Sequence, residues 1–241
     1  MTNVPATRTL IKPRVHHQVV KTLAQRILDR SFAPGQLLPS EPEMCSSLNV
    51  SRSAIREAIK VLGSKGLTVT RPRTGTRVRP YDDWNLLDPD ILAWSMELAP
   101  RPELVLSLIE ARQVIEPAAA RLAAMRATAA DIEPMQRAYD AMTDRKATQD
   151  FKAFNEADIE FHTALLRASR NIVFQQLATM IGAALAYSFR LTIDRAREPG
   201  SSLPNHLEVI EFIRRRDPDG AYTSMARLLD IAIIDLGLSR P

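Results

Sequence analysis

Apolar positions between Ser51 and Gly66 (SRSAIREAIKVLGSKG) recur as Ile55, Ile59 and Leu62, the i, i+4, i+7 spacing of one helix stripe. Arg52, Arg56 and Lys60 recur at i, i+4 and i+8 on another face, with Ser53 beside them. Ser51 stands where an N-cap belongs, since its hydroxyl can accept from a first-turn N–H, and Gly66 stands where a C-cap glycine belongs. Upstream, SEPEMCSSLNV reads as a shorter helix closed by a tight turn. Before it, Val15, Val19, Leu23 and Ile27, backed by Val20, Ala24 and Leu28, predict a helix from Val15 to Arg30. Downstream, LTVT and TRVR alternate like strands around Pro72-Arg73-Thr74-Gly75. Helices followed by a hairpin in this order make a winged helix-turn-helix. A helix with an apolar back and a cationic front suits a major groove, its back docked on a core and its front facing phosphates and base edges.

After Val78 no stretch alternates with period 2, and the pattern becomes helical. Residues 81–90 (YDDWNLLDPD) mix aromatic, acidic and turn residues and read as a linker between a DNA-binding domain, 1–80, and a second domain, 91–241. Helices are predicted over roughly 89–98, 102–126, 130–145, 150–168, 172–196, 204–216 and 218–238, with breaks at sites such as Ser169-Arg170-Asn171 and Pro199-Gly200. Leu104, Leu108, Ile115, Leu122, Ile159, Leu166, Leu177, Ile181, Ile210 and Ile213 are the expected core of an all-α bundle. The fold class is therefore mainly α, a winged head followed by a helical bundle.

Charge sharpens the division. Residues 1–80 hold fourteen Lys/Arg against four Asp/Glu, a net +10; the whole chain is +4, so residues 81–241 carry −6. A nucleic-acid module joined to a domain that does not bind nucleic acid shows this asymmetry. Arg71, Arg73, Arg77 and Arg79 stud the hairpin. With 45% hydrophobic and 25% charged residues, the composition is that of a soluble globular protein. No apolar run approaches the ~18 residues that a membrane span needs. The N-terminal segment has no apolar signal core, and the lone Cys45 rules out an internal disulfide, so a cytoplasmic location is expected.

One constellation in the second domain carries chemistry. Asp158 and His162, i and i+4 in FNEADIEFHTALL, project from one helix face, and His206 opens a later helix at LPNHLEVIEFI. Two imidazoles and a carboxylate suit a divalent ion such as zinc, nickel, manganese or iron. The same residues also make an ordinary solvated pair, and spacing alone leaves both readings open. Formally they are also the facial triad of a non-haem iron oxygenase, but such triads sit on β-strands. No HExxH, GxSxG or P-loop pattern is present either, so no enzyme is expected. Arg190, inside the apolar run AALAYSFRLTI, is either a ligand-gripping arginine or a snorkelling surface one, and Asn155 and Ser202 are candidate polar contacts.

PGQLLPSEPEM, SRSAIREAIKVLGSKGL and RPRTGTRV, spread over Val15 to Pro80, together resemble the DNA-binding domain of the GntR family of bacterial transcription regulators. The resemblance implies that Ser51, Arg52, Ser53 and Arg56 lie on the recognition helix and Gly75 at the wing tip, with Arg71 and Arg73 beside it. Pro42 departs from the basic residue that many relatives carry after the glutamate of PSE. FNEADIEFHTALLRASRN is similar to the signature of the FadR branch, whose helical effector domain is called FCD, and Arg112 and Glu116 in EARQVIEPAAARLAA match as well. Many such domains hold a metal through an aspartate and three histidines. Asp158, His162 and His206 fall on three of these positions, while Leu228 stands at the fourth, which implies either a three-ligand metal, zinc foremost, with open positions, or a site that has lost its metal; the first is the expectation. Arg112 then lies on a cavity-lining helix and becomes an effector-binding candidate beside Asn155, Arg190 and Ser202.

DDWNLLDPDILAW and the two helical segments are similar to those of a family member governing sugar-acid catabolism, which implies an aldonate effector such as galactonate. The expectation is a homodimeric repressor on a double-stranded operator, released by that effector. Alternatives are a regulator of another carboxylate (a 2-keto acid, hydroxy acid or acyl thioester) and an architectural DNA-binding protein with no effector.

Overall fold

The computed structural model describes residues 12–95, 97, 98, 101–192 and 202–235, and within them the chain forms two compact units that divide after Leu98. The first contains α1 (Lys12–Leu28), α2 (Glu41–Leu48), α3 (Arg52–Ser64), β1 (Thr68–Arg71), β2 (Gly75–Val78), a 3-10 turn (Tyr81–Asp83) and α4 (Pro89–Ser95). The second contains α5 (Pro102–Arg126), α6 (Ala129–Ala147), α7 (Phe151–Ala168), α8 (Ile172–Thr192), α9 (Leu203–Arg214) and α10 (Pro218–Asp235).

In the first unit the stripe of α1 (Val19, Leu23, Ala24, Ile27) packs in one core with Ile55, Ala58 and Leu62 of α3 and Met44 of α2. Each of the Val, Leu, Ile and Met side chains contributes roughly 1.5–3 kcal/mol on leaving water, the alanines less. The buried stripe of α3 runs through Ala58 rather than Ile59, which is only half-buried, because the i, i+3, i+7 positions face the centre. Ser51 caps α3 by accepting from the Ala54 N–H at 3.3 Å. At the other end the Leu67 N–H reaches the Leu62 carbonyl and the Gly66 N–H the Gly63 carbonyl, a Schellman ending, with Gly66 at φ +78. A Cβ on Gly66 would lie 2.9 Å from the Asp83 carbonyl oxygen, so glycine is required there on two counts.

β1 and β2 pair antiparallel from Thr68↔Val78 to Arg71↔Gly75, and the connection before α2 adds an isolated bridge, Leu37↔Arg77. The turn carries Arg73 at φ +65 and Gly75 at φ +84.

The segment 81–90, expected as a linker, is folded onto this unit. Trp84 is buried and its Nε1 donates to the Arg79 carbonyl at 2.8 Å, while Ile91 and Trp94 of α4 join the head's core. Lys65 Nζ is clasped by Asp88 Oδ1 at 2.8 Å and Asp90 Oδ2 at 2.7 Å. Turn-forming residues here make contacts instead of a free connection, and the division into units falls later than 81–90.

In the second unit α7 is the central helix. Phe154, Ala157, Asp158, Phe161, His162, Leu165 and Ala168 are all buried. Ala120, Ala123 and Ala124 of α5 and Ala157 and Ala164 of α7 allow the helices to approach closely. Of the expected core, Leu108, Leu166, Ile181, Ile210 and Ile213 are buried; Leu104, Ile115, Leu122, Ile159 and Leu177 are only half-buried. Alanines take the inner positions that larger aliphatics were expected to fill. α8 is described to Thr192, and the expected extension to 196 lies outside the described residues. Among the described residues no helix is long and apolar enough to cross a membrane.

Candidate functional site

On the head, Arg52, Ser53 and Arg56 are exposed along α3, and Arg71, Arg73 and Gly75 are exposed at the hairpin tip. The hairpin cations divide by environment. Arg77 Nη1 donates to the Gly35 carbonyl at 3.1 Å and Arg79 pairs with Asp83 at 3.2 Å, so each carries a surface contact within the head. Gly75 stands at φ +84, a backbone that favours glycine; a Cβ there would also meet Leu37 Cδ1 at 3.1 Å, an exposed side chain with room to shift. Ser51 is spent on capping, its Oγ also lying 2.9 Å from Ser53 Oγ.

In the helical unit α7 and the start of α9 bring Asp158, His162 and His206 together, all buried, each offering a ligand atom within 4.8 Å of the others. Helical periodicity places Asp158 and His162 one turn apart on α7, and Phe161 packs edge-on against both imidazoles, 5.5 Å from His162 and 4.7 Å from His206.

The hydrogen bonds decide the tautomers. His206 Nδ1 lies 3.0 Å from the Ser202 carbonyl oxygen, which can only accept, so Nδ1 carries the proton. His162 Nδ1 lies 2.6 Å from Glu116 Oε2 and donates to that carboxylate. Both Nε2 atoms are left with lone pairs, and both face Asp158: His206 Nε2 is 3.0 Å from Oδ1 and His162 Nε2 is 3.6 Å from Oδ2. The first distance is short, yet it does not have hydrogen-bonding geometry, and His206 Nε2 is a buried nitrogen without a hydrogen-bond partner. Two lone pairs converging on a carboxylate call for a cation, and the donor set fits a divalent metal. Leu228, where the resemblance leads one to expect a fourth ligand, is buried in the apolar core that includes Phe161.

Arg112 and Glu116, i and i+4 on α5, form a buried ion pair at 2.5 Å with side chains 4% and 0% exposed. Arg112 Nη2 also points at His162 Nε2, 3.4 Å away. Burial pushes the Glu116 carboxyl up, but Arg112 and His162 more than offset it and hold the group at about 2.

Arg112 therefore stands beside the triad. Ser202 reaches it through its backbone carbonyl rather than its hydroxyl. Asn155 is half-buried one turn before Asp158, on the same side of α7. Arg190 is in α8, and its side chain lies outside the described residues. Glu116 is the site residue to which sequence reasoning assigned no role. Its available signal is the Arg112–Glu116 spacing, which marks a pair but not its third member on another helix.

Comparison with known proteins accounts for both units. Residues 16–78 match the family described as bacterial regulatory proteins, gntR family, and residues 107–230 match the FCD domain. The chain is 37% identical over 206 residues to the galactonate operon transcriptional repressor of Escherichia coli K12, covering 85% of this chain and 89% of that one. It is 31% identical over 224 residues to a protein of the same organism assigned to regulation of the L-lactate dehydrogenase operon, covering 88% and 82%. Among solved structures, a GntR protein of Streptococcus agalactiae superposes with a TM-score of 0.50 at 28% identity, covering 90% of this chain and 98% of the other. With a DNA-reading head, an FCD domain and regulators rather than enzymes as its relatives, the chain belongs to the GntR family of bacterial transcriptional regulators.

Proposed function

We propose that this regulator represses a sugar-acid catabolic operon and leaves its operator when an aldonate such as galactonate binds in the FCD domain. The observation that carries the reading is the buried constellation of Asp158, His162 and His206 with Arg112 beside it, in a chain 37% identical to a galactonate operon repressor.

Asp158, His162 and His206 would hold a divalent metal, zinc foremost, which when bound supplies a Lewis acid for carboxylate and hydroxyl oxygens. Glu116 fixes His162 with its Nε2 lone pair turned toward Asp158, and the Ser202 carbonyl does the same for His206. Arg112 presents a guanidinium to an incoming carboxylate, the fork geometry suited to that group. Asn155 and Arg190 are the further candidates for hydroxyl and carboxylate contacts. On the DNA side a homodimer sets two α3 helices into successive major grooves of a pseudo-palindrome. Arg52, Ser53 and Arg56 face base edges and phosphates there, and Arg71, Arg73 and Gly75 of the wing tip run along the backbone or minor groove. Effector binding repositions the heads, a coupling of ~1–3 kcal/mol being typical.

The test is fluorescence anisotropy on a DNA fragment from upstream of its own gene, titrated with galactonate and related aldonates. Release by one aldonate, abolished by a chelator, is the expected result. Tight binding that no sugar acid disturbs would discard the aldonate reading. A second reading, a smaller 2-hydroxy acid, is favoured by the 31% identity to the protein assigned to the L-lactate dehydrogenase operon, since lactate and aldonates share the α-hydroxycarboxylate group. Lactate in the same titration separates the two.

A further inference from the structure

Glu41 and Arg56 lie on different helices, 15 residues apart, and meet in an unusual way. Arg56 Nε donates to both carboxylate oxygens of Glu41, at 3.0 Å and 2.9 Å. Glu41 is the first residue of α2, and the start of that helix is held firmly: Pro42 stiffens its first turn, and the Ser40 N–H and hydroxyl both donate to Glu43 Oε2 at 2.7 Å. The carboxylate is thus anchored on a rigid element, and the Nε edge of the guanidinium is the edge it occupies. The edge formed by Nη1 and Nη2 is left for other partners, and Arg56 remains 67% exposed against 34% for Glu41. An ion pair this open to water adds little to folding stability. It also puts a negative charge beside a helix that has to approach phosphates, which weakens binding to any duplex. Stability and general DNA affinity both fail to account for it.

We infer that Glu41 is a positioning and specificity-determining residue: it holds Arg56 of the recognition helix by the Nε edge, so that the Nη fork reads a base pair instead of collapsing onto a phosphate. A freely rotating arginine satisfies itself on the nearest phosphate, a contact without sequence information. An arginine whose stem is fixed presents a planar fork in one direction, the geometry that guanine O6 and N7 accept in the major groove. The inference rests on the reading that α3 enters the major groove with Arg56 facing DNA.

The experiment uses the full chain and two duplexes: a site that the wild-type protein enriches from a randomised pool, and a random-sequence duplex of equal length. Affinities for both are measured by anisotropy for wild type, Glu41→Ala, Arg56→Ala and the double variant, with Glu41→Gln as a charge-neutral control and thermal melting to check folding. Glu41→Ala is expected to lower the ratio of site to random affinity roughly tenfold, within the range of one bidentate base contact. Random-duplex affinity should stay level or rise. In the Arg56→Ala background, removing Glu41 should change the ratio no further. An unchanged ratio in Glu41→Ala overturns the inference. A further drop in the double variant also overturns it, because Glu41 would then act without Arg56. A wild-type ratio in Arg56→Ala removes the groove reading of Arg56 itself, and the inference with it.

Discussion

Replacing Glu116 by alanine tests whether the ion pair under the triad is a structural necessity of the FCD domain or a bystander. In the native protein its carboxylate binds Arg112 Nε at 2.5 Å and accepts from His162 Nδ1 at 2.6 Å, with no exposure to water. Alanine leaves a guanidinium 4% exposed without its anion and an imidazole N–H without its acceptor. Removing one partner of a buried pair costs about 3–5 kcal/mol, most of it the burial of the orphaned charge. That is a large part of the roughly 5–15 kcal/mol of a whole domain. Urea denaturation followed by circular dichroism, with the slope checked for constancy, measures it. The double variant Arg112→Met/Glu116→Ala is the sharper comparison. With no charge left to orphan, it should be more stable than Glu116→Ala alone. On the metal reading proposed above, Glu116→Ala should also weaken zinc binding by roughly 10- to 100-fold in calorimetry, since the His162 ring loses the acceptor that fixes its tautomer. A loss below about 1 kcal/mol, or a double variant that costs the sum of the two singles, refutes the reasoning.

Three further outcomes are expected. The Arg112 guanidinium and the His162 N–H hold the Glu116 carboxyl at about 2 in the folded protein, below its ordinary value, so it stabilises the fold above the unfolded carboxylate range and that contribution is lost as pH falls through about 4.5 toward 2. Denaturant midpoints taken from pH 6 to pH 2 should therefore fall across that window, and a flat profile contradicts the buried network. His162→Ala should leave operator affinity unchanged and abolish the aldonate response in the anisotropy titration; a variant that responds at wild-type ligand concentrations excludes the metal-site reading. Arg52→Ala should cost about 1–3 kcal/mol of operator affinity and relax base preference at one position, as a bidentate guanine contact requires, and an unchanged affinity removes Arg52 from the readout.

What is legible in the chain tracks how local each interaction is. The Ser51 cap, the Schellman ending at Gly66 and the pairing of LTVT with TRVR are settled within a few residues, and the sequence pattern predicts them closely. The convergence of Asp158 and His162 is equally local, one helical turn, and the ends of α5 follow from Pro102 and the break at Thr128. The misread parts depend on distance. The segment 81–90 has the composition of a linker, and only the burial of Trp84 and Trp94 in a core built by α1 and α3 makes it part of the head. No periodicity links Glu116 to His162, 46 residues away on another helix, or Glu41 to Arg56 across the turn between α2 and α3. In both cases the visible member was the one with conspicuous chemistry, a histidine or an arginine, and the hidden member was the carboxylate that orients it. A carboxylate on a helix reads as a solvated charge until the fold shows what it faces. On the readings proposed above, both carboxylates would do the same physical work, each fixing one edge of a nitrogen-bearing side chain so that the opposite edge points at a partner from outside the chain.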